Sequence, residues 1–173
     1  MAELRLENVS KRFGGLLAVN SLDLNVPQGK ILSLIGPNGA GKTTVFNMIT
    51  GVYPPTEGKI SYGDNKLNGL RSNRIIARGI ARTFQNIRLF KSMTVLENVQ
   101  VGMHCRTQSG PVRALLKTGF EKREEKEIVA KSQELLDFIG LIAHQNDYAS
   151  NLPYGEQRRL EIARALATRP EVL

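Results

Sequence analysis

The sequence predicts an α/β fold, and three observations carry that prediction. Apolar residues spaced largely two apart in the first 26 positions mark strands with one buried face. The run "KILSLIG" at 30–36 is apolar almost without alternation, the pattern of a strand covered on both faces. A glycine-rich loop at 36–41 then leads directly into a helical stretch, so strand, loop and helix follow one another as in an α/β unit.

Taken in order, Leu4, Leu6 and Val9 outline a first strand and Leu22, Leu24 and Val26 a second. "KTTVFNMIT" predicts a short helix stopped by Gly51 and barred from continuing by Pro54-Pro55. "GKISYGDNKL" predicts a hairpin turning at Gly63-Asp64. "RSNRIIARG" reads as a brief helix, "ARTFQ" as a strand running into a loop, and "TVLENVQVGMHC" as a helix. The stretch from Arg106 to about Phe120 has weak periodicity. From Lys122 onward, Ile128, Leu135, Leu136 and Ile139 form one face of a longer amphipathic helix closed by Gly140. The last helix starts near Gly155 and ends by Thr168, before Pro170, with Leu160, Ala163 and Ala167 inward and Arg158, Glu161 and Arg164 outward. "PEVL" then reads as the start of another apolar strand.

The chain has 173 residues, 41% of them hydrophobic, which suits one domain with a sizeable core. No apolar run approaches the roughly 18 residues that span a bilayer, and "MAELRLENVS" lacks the pattern of a signal peptide. Cys105 is the sole cysteine, so no intramolecular disulfide forms, which fits a reducing compartment and makes the cytoplasm the default. The net charge of +8 is compatible with several polyanionic partners, but the basic residues are scattered and sit beside acids, as on a solvated surface.

Residues 36–43, "GPNGAGKT", fit the phosphate-loop pattern G-x-x-x-x-G-K-[ST] between a strand and a helix. Glycines let the backbone turn so that successive N–H groups point inward at phosphate oxygens, and the following helix adds its positive end. Gly36, Pro37, Asn38, Gly39, Ala40 and Gly41 would form this cradle. Lys42 would place a charge on the β- and γ-phosphates, the Thr43 hydroxyl would complete Mg²⁺ coordination, and Thr44 would add a phosphate contact. The motif predicts a bound nucleotide with Mg²⁺, and the family resemblance given next makes the expected cofactors ATP and Mg²⁺. A glycine-rich turn that merely joins strand to helix is the bland alternative, and the flanking elements argue against it.

Three segments together resemble the ATP-binding subunits of ATP-binding cassette (ABC) transporters: "GPNGAGKTT" at 36–44, "TFQNIRLF" at 83–90, and "LPYGEQRRLEIARAL" at 152–166. They occur in family order, and "KRFGGLLAVNSLDLNV" at 11–26 looks like the family's opening, where Phe13 matches the aromatic that stacks on adenine. Within the family the residues are most similar to subunits of branched-chain amino acid importers, with ATPases for urea uptake and lipopolysaccharide export close behind. The resemblance implies a phosphate-loop NTPase of the ABC type: a mostly parallel core sheet, an antiparallel β subdomain and a helical signature subdomain. It implies a single domain over 1–173, with about 1–85 as nucleotide-binding core and β subdomain, about 86–168 as helical subdomain, and 169–173 entering the Walker B strand.

By the same resemblance Gln85 occupies the Q-loop, where its amide oxygen reaches Mg²⁺ or the attacking water and its loop couples nucleotide state to the membrane subunit. Ile87, Leu89, Phe90 and Met93 form an apolar cluster that is either core or the groove receiving a permease helix. Leu152, Pro153, Tyr154, Gly155, Glu156 and Gln157 occupy the signature, which in the family addresses ATP held by the opposite subunit. Physically, Gly155 near a helix N-terminus offers N–H groups without intrahelical partners and about half a positive charge. The segment departs from the common Leu-Ser-Gly-Gly-Gln: Pro153 replaces the serine, Tyr154 a glycine, and Glu156 the glutamine. Backbone amides would then hold the anion, and Glu156 is expected to face away from it.

The implied partners are a second ABC ATPase subunit in a homo- or heterodimer, transmembrane permease subunits, and indirectly a periplasmic or extracellular substrate-binding protein. No nucleic acid is expected. The implied location is the cytoplasmic face of the plasma (inner) membrane, as a peripheral subunit. A non-transport ABC ATPase acting on ribosomes or nucleic acid is a competing class, though such proteins usually carry paired cassettes or coiled-coil insertions. The family's Walker B Asp and Glu and its switch histidine follow the position where this chain ends, so the chain is expected to be a fragment without hydrolysis of its own. His104 and His144 have neither zinc-ligand spacing nor the switch position.

Overall fold

The computed structural model describes residues 3–103 and 119–173, with side chains at all of these except 119–122. His104, Cys105 and most of the stretch after them lie outside the described residues. The chain divides into two compact units, Met1–Ile75 and Ile76–Leu173.

The first unit is an antiparallel sheet with two short helices. Strands β1 (Leu4–Phe13) and β2 (Leu16–Val26) form a hairpin through Gly14-Gly15, and β3 (Glu57–Tyr62) pairs with the other edge of β1. The two-residue strand β4 (Asn65–Lys66) completes the order β2-β1-β3-β4. Leu4, Leu6 and Val9 are buried as their spacing predicts. Register shifts after Leu6, where Asn8 takes a φ of 49° and its N–H donates to Asp23 Oδ1 at 2.7 Å. Opposite this bulge, Gly58 has a φ of +84°, and a Cβ there would overlap the Asn8 carbonyl. The predicted hairpin turns at Gly63-Asp64, between β3 and β4. Helix α1 (Lys42–Ile49) buries Val45, Met48 and Ile49, and α2 (Ser72–Ala77) buries Ile75.

The predicted strand at 30–36 does not form: residues 31–37 carry no regular structure, and Ile31 and Ile35 are 100% and 90% exposed. A doubly covered strand exists only through hydrogen bonds to neighbours on its edges, and no described strand pairs with this segment.

The second unit is a bundle of three helices: α3 (Val95–Met103), α4 (Gly119–Phe138) and α5 (Tyr154–Ala167). Val95, Val99, Leu136, Leu141, Leu160, Ala163 and Ala167 make its core, with Leu89, Ile128, Leu135 and Ile139 packed against it. Helix α3 opens with a capping box: the Thr94 hydroxyl accepts from the Glu97 amide at 3.2 Å, and the Glu97 carboxylate accepts from the Thr94 amide at 2.7 Å. Gly140 ends α4 with a φ of 69°. At Gly102 the approach of α3 to α5 is so close that a Cβ would overlap the Arg164 carbonyl.

Two further expectations need correction. "ARTFQ" is not a strand, since only Ile80 pairs, in a single parallel bridge with Val172 of "PEVL". The reason lies in Phe84, whose N–H and carbonyl are engaged by side chains of α5 and are withdrawn from any ladder. Glu161, expected outward, is only 2% exposed and faces this same backbone. Among the described residues no helix is long and apolar enough to cross a membrane.

Candidate functional site

In the first unit the glycine-rich loop runs from Gly36 to Gly41 and enters α1 at Lys42. Gly39 and Gly41 adopt φ of 86° and 83°, a region open to glycine and costly for other residues. Gly41 lies against the backbone of β2 at Ala18, which fixes where the helix starts. The Ala40 amide bonds to the Pro37 carbonyl at 3.2 Å, so the loop is closed on itself. Lys42 folds back over it, its Nζ donating to the Gly36 and Pro37 carbonyls at 2.5 and 2.7 Å. Thr43 is exposed and Thr44 partly so on the first turn, where amides have no intrahelical acceptor. The residues present fit a polyphosphate with its divalent cation: a cradle of backbone amides, one ammonium held at its lip, and a hydroxyl at the helix start.

Phe13 ends β1 with its ring 43% exposed. It meets Tyr53 edge to face, with centroids 5.2 Å apart and planes at 89°. Lys11 Nζ lies 5.1 Å from the Phe13 centroid and 5.0 Å from that of Tyr53, while donating to the Pro54 carbonyl at 2.7 Å. Asn47 of α1 donates to the Tyr53 hydroxyl at 3.1 Å. The aromatic that sequence singled out is therefore half of a pair held by Lys11 and Asn47. Tyr53 was not legible as a partner, because a separation of 40 positions from Phe13 hides their proximity, and Lys11 reads as one more surface cation until both rings are seen beside it.

In the second unit Gln85 is exposed on a segment without regular structure. Phe84, beside it, lies between the guanidinium groups of Arg82 and Arg88, at 5.3 and 4.9 Å from the ring centroid. Asn98, fully buried on α3, accepts from the Phe90 amide at 3.0 Å and donates to the Phe90 and Thr94 carbonyls at 3.0 and 2.9 Å. Of the apolar cluster, Leu89 packs on the core while Phe90 stays 46% exposed beneath the Arg164 guanidinium, 5.4 Å from its ring. Burial pushes the Arg164 guanidinium below its ordinary pKa, and the charge of Glu161 opposes that shift.

At the start of α5, Pro153 is the N-cap and offers no side-chain oxygen, so the cap is made of backbone alone. Its carbonyl accepts from the Glu156 and Gln157 amides at 2.9 and 3.0 Å, while Gln157 Nε2 donates to the Leu152 carbonyl at 2.8 Å. The helix thus begins at Tyr154, one residue before the position expected. Tyr154 is 72% exposed, and nothing lies within 4 Å of a Cβ built on Gly155, which leaves the helix mouth open. Glu156 turns toward its own helix and the preceding 3₁₀ turn (Ile142–His144): Oε1 lies 3.3 Å from Arg159 Nη2 and Oε2 4.0 Å from His144 Nε2. His144 in turn pairs with Asp147 at 2.8 Å.

Residues that sequence reasoning missed are Arg158 and Glu161. Their spacing of three on a helix was visible, and Glu161 follows Leu160 at the edge of the apolar stripe, but an acidic residue there reads as solvated until a partner is seen.

Residues 19–173 match the protein family described as ABC transporter. The chain is 50% identical over 170 residues to the Escherichia coli K12 high-affinity branched-chain amino acid transport ATP-binding protein LivG, covering 98% of this chain and 67% of that protein. Among solved structures it resembles the ADP conformation of MJ1267, an ATP-binding cassette of an ABC transporter, with TM-score 0.81, 35% identity, and 98% and 66% of the two chains covered. It also resembles a dimeric post-hydrolysis state of the ATP-binding cassette MJ0796 bound to ADP and Pi, with TM-score 0.77, 29% identity, and 96% and 70% covered. The chain spans about two thirds of the length of the relatives it matches.

Proposed function

This chain belongs to the ABC transporter family, and from that premise we propose that it is the ATP-binding part of an ABC importer for branched-chain amino acids. The observation that carries the reading is the loop at 36–44, whose glycines at positive φ, helix start and inward-folded Lys42 form a phosphate cradle. The substrate class is supported by the LivG relative, whose name states it.

In this reading the exposed Phe13 ring stacks on adenine, and Tyr53 and Lys11 hold that ring in place. Amides of Gly39 to Thr44 receive the phosphates, and Lys42 exchanges its two carbonyl acceptors for phosphate oxygens. Thr43 would hold Mg²⁺, which when bound neutralises charge on the phosphates. Gln85, exposed on its own segment, takes the Q-loop role that the family resemblance gives it. The open amides at Tyr154 and Gly155 address the nucleotide of a second ATPase subunit, and Pro153 forces that contact onto backbone donors. Glu156, drawn toward Arg159 and His144, keeps its carboxylate away from the anion.

We assign residues 1–85 to the nucleotide core and β subdomain, 86–168 to the helical subdomain, and 169–173 to the entry of the Walker B strand. Permease subunits and a substrate-binding protein complete the importer, and the ATPase lies peripherally on the cytoplasmic side of the inner membrane. Calorimetric titration with Mg-ATP tests the binding claim: saturable, single-site binding is expected, and a flat titration refutes it. Uptake of labelled leucine tests the substrate. Expression of the full-length subunit should restore it in cells lacking their own branched-chain amino acid ATPase, and restored urea uptake alone would reassign the substrate.

A further inference from the structure

The segment 84–88 turns around one buried carboxylate. Glu161 is 2% exposed, and its Oε1 accepts the amides of both Phe84 and Arg88 at 3.4 Å, one on each side of Gln85. Its other oxygen, Oε2, takes Arg158 Nη1 at 2.6 Å, and the same guanidinium nitrogen donates to the Phe84 carbonyl. A buried charge is costly unless paired and fully hydrogen-bonded; here Arg158 supplies the pairing and the Phe84 and Arg88 amides of the loop supply the hydrogen bonds to the other oxygen. Arg158 and Glu161 are one turn apart on α5, the helix that opens at the signature positions 154–157. Farther along, Asn98 fixes the Phe90 backbone from α3. The exposed Gln85 is therefore carried by backbone whose polar groups are taken up by α5.

We propose that Glu161, held by Arg158, is the positioning residue of the Gln85 segment: it clasps residues 84–88 to α5 so that the Gln85 segment and the signature end of that helix shift together. The proposal rests on the reading of Gln85 and positions 152–157 given above. The clasp is built from two backbone amides, one carbonyl and one ion pair, a set that either holds in full or opens in full, since losing Arg158 strands a buried carboxylate. Displacement of Gln85 by a ligand would thus act on α5, and displacement of α5 on Gln85.

Amide hydrogen exchange on the full chain without nucleotide tests the clasp. In Glu161→Ala the Phe84 and Arg88 amides should exchange at least about tenfold faster while those of Ala163 to Ala167 keep their rates. Should that variant also open α5, Glu161→Met decides, because it fills the same space as a good helix former but has no acceptor oxygen. Glu161→Gln, which retains an oxygen acceptor, should restore protection to within about threefold of the parent chain. Phe84 and Arg88 amides as protected in Glu161→Met as in the parent chain, with α5 intact, would overturn the proposal. In the whole ATPase assembled with its permease, Glu161→Met should lower kcat about tenfold and leave KM for ATP within about twofold. An unchanged kcat would equally refute the coupling. Exchange is read without ATP, so a chain that binds no ATP defeats the nucleotide reading while leaving the clasp measurement intact.

Discussion

Gly41 lies so close to Ala18 that a Cβ on it would overlap the Ala18 carbonyl oxygen and come within 3.1 Å of Val19 Cγ2. Backbone of β2 cannot yield as a flexible side chain would, and the φ of +83° adds its own strain to any residue with a Cβ. Gly41→Ala should destabilise the chain by about 2–4 kcal/mol and abolish Mg-ATP binding, read by urea unfolding and by calorimetry. Unaltered binding at unaltered stability would show that α1 can shift away from β2.

Lys42 presents the converse case, since among the described residues its ammonium bonds the two loop carbonyls of Gly36 and Pro37. Lys42→Ala should leave the unfolding midpoint almost unchanged while weakening Mg-ATP binding about a hundredfold, equivalent to about 2.7 kcal/mol. A parallel loss of stability and affinity would mean that Lys42 supports the loop's shape rather than a phosphate charge.

Asn98 should be costly to replace despite lying outside every recognised motif. It is fully buried and satisfies both backbone groups of Phe90 as well as the Thr94 carbonyl. Asn98→Ala strands the Phe90 amide, at about 1–3 kcal/mol, and removes one of two hydrogen bonds from the Phe90 and Thr94 carbonyls, which keep those from the Met93 and Asn98 amides. A loss of about 2–4 kcal/mol in denaturant unfolding is expected, with Asn98→Asp no better, because aspartate cannot donate to the two carbonyls.

Gly102 sets two effects against each other. Alanine in the last described turn of α3 would favour the helix by up to about 1 kcal/mol. The added methyl would overlap the Arg164 carbonyl and lie 2.8 Å from Ala167 Cβ. Neither is the free end of a flexible side chain, so overpacking wins, and Gly102→Ala should be destabilising by about 1–3 kcal/mol net. A raised melting temperature would show that α3 and α5 can separate without loss.

Much of the architecture was readable from periodicity and turn chemistry. Leu4, Leu6 and Val9 gave β1, Gly63-Asp64 gave the hairpin, and Ile128, Leu135 and Leu136 gave α4, because each signal is local and period-bound. "KILSLIG" read as a strand because its apolar character is a statement about neighbours, and a strand without a paired neighbour is only extended chain. The phosphate loop was legible for the opposite reason: its geometry depends on nine consecutive residues. Arg158, Glu161 and Asn98 were not legible, since nothing local separates a buried, partnered polar side chain from a solvated one on the same helix. Tyr53 escaped for lack of any sequence link to Phe13.

The bare segment at 31–35 also governs how this chain behaves in a tube. Its isoleucines face water on a backbone with unspent hydrogen-bonding capacity, flanked in sequence by glycines at 29 and 36 that leave it free to realign. Such a segment is what an apolar dye reports and what a chaperone of the Hsp70 kind grips. Self-association will therefore rise with concentration, and a single lysine in place of Ile31, fully exposed among the described residues, will extend the workable range without touching the phosphate loop.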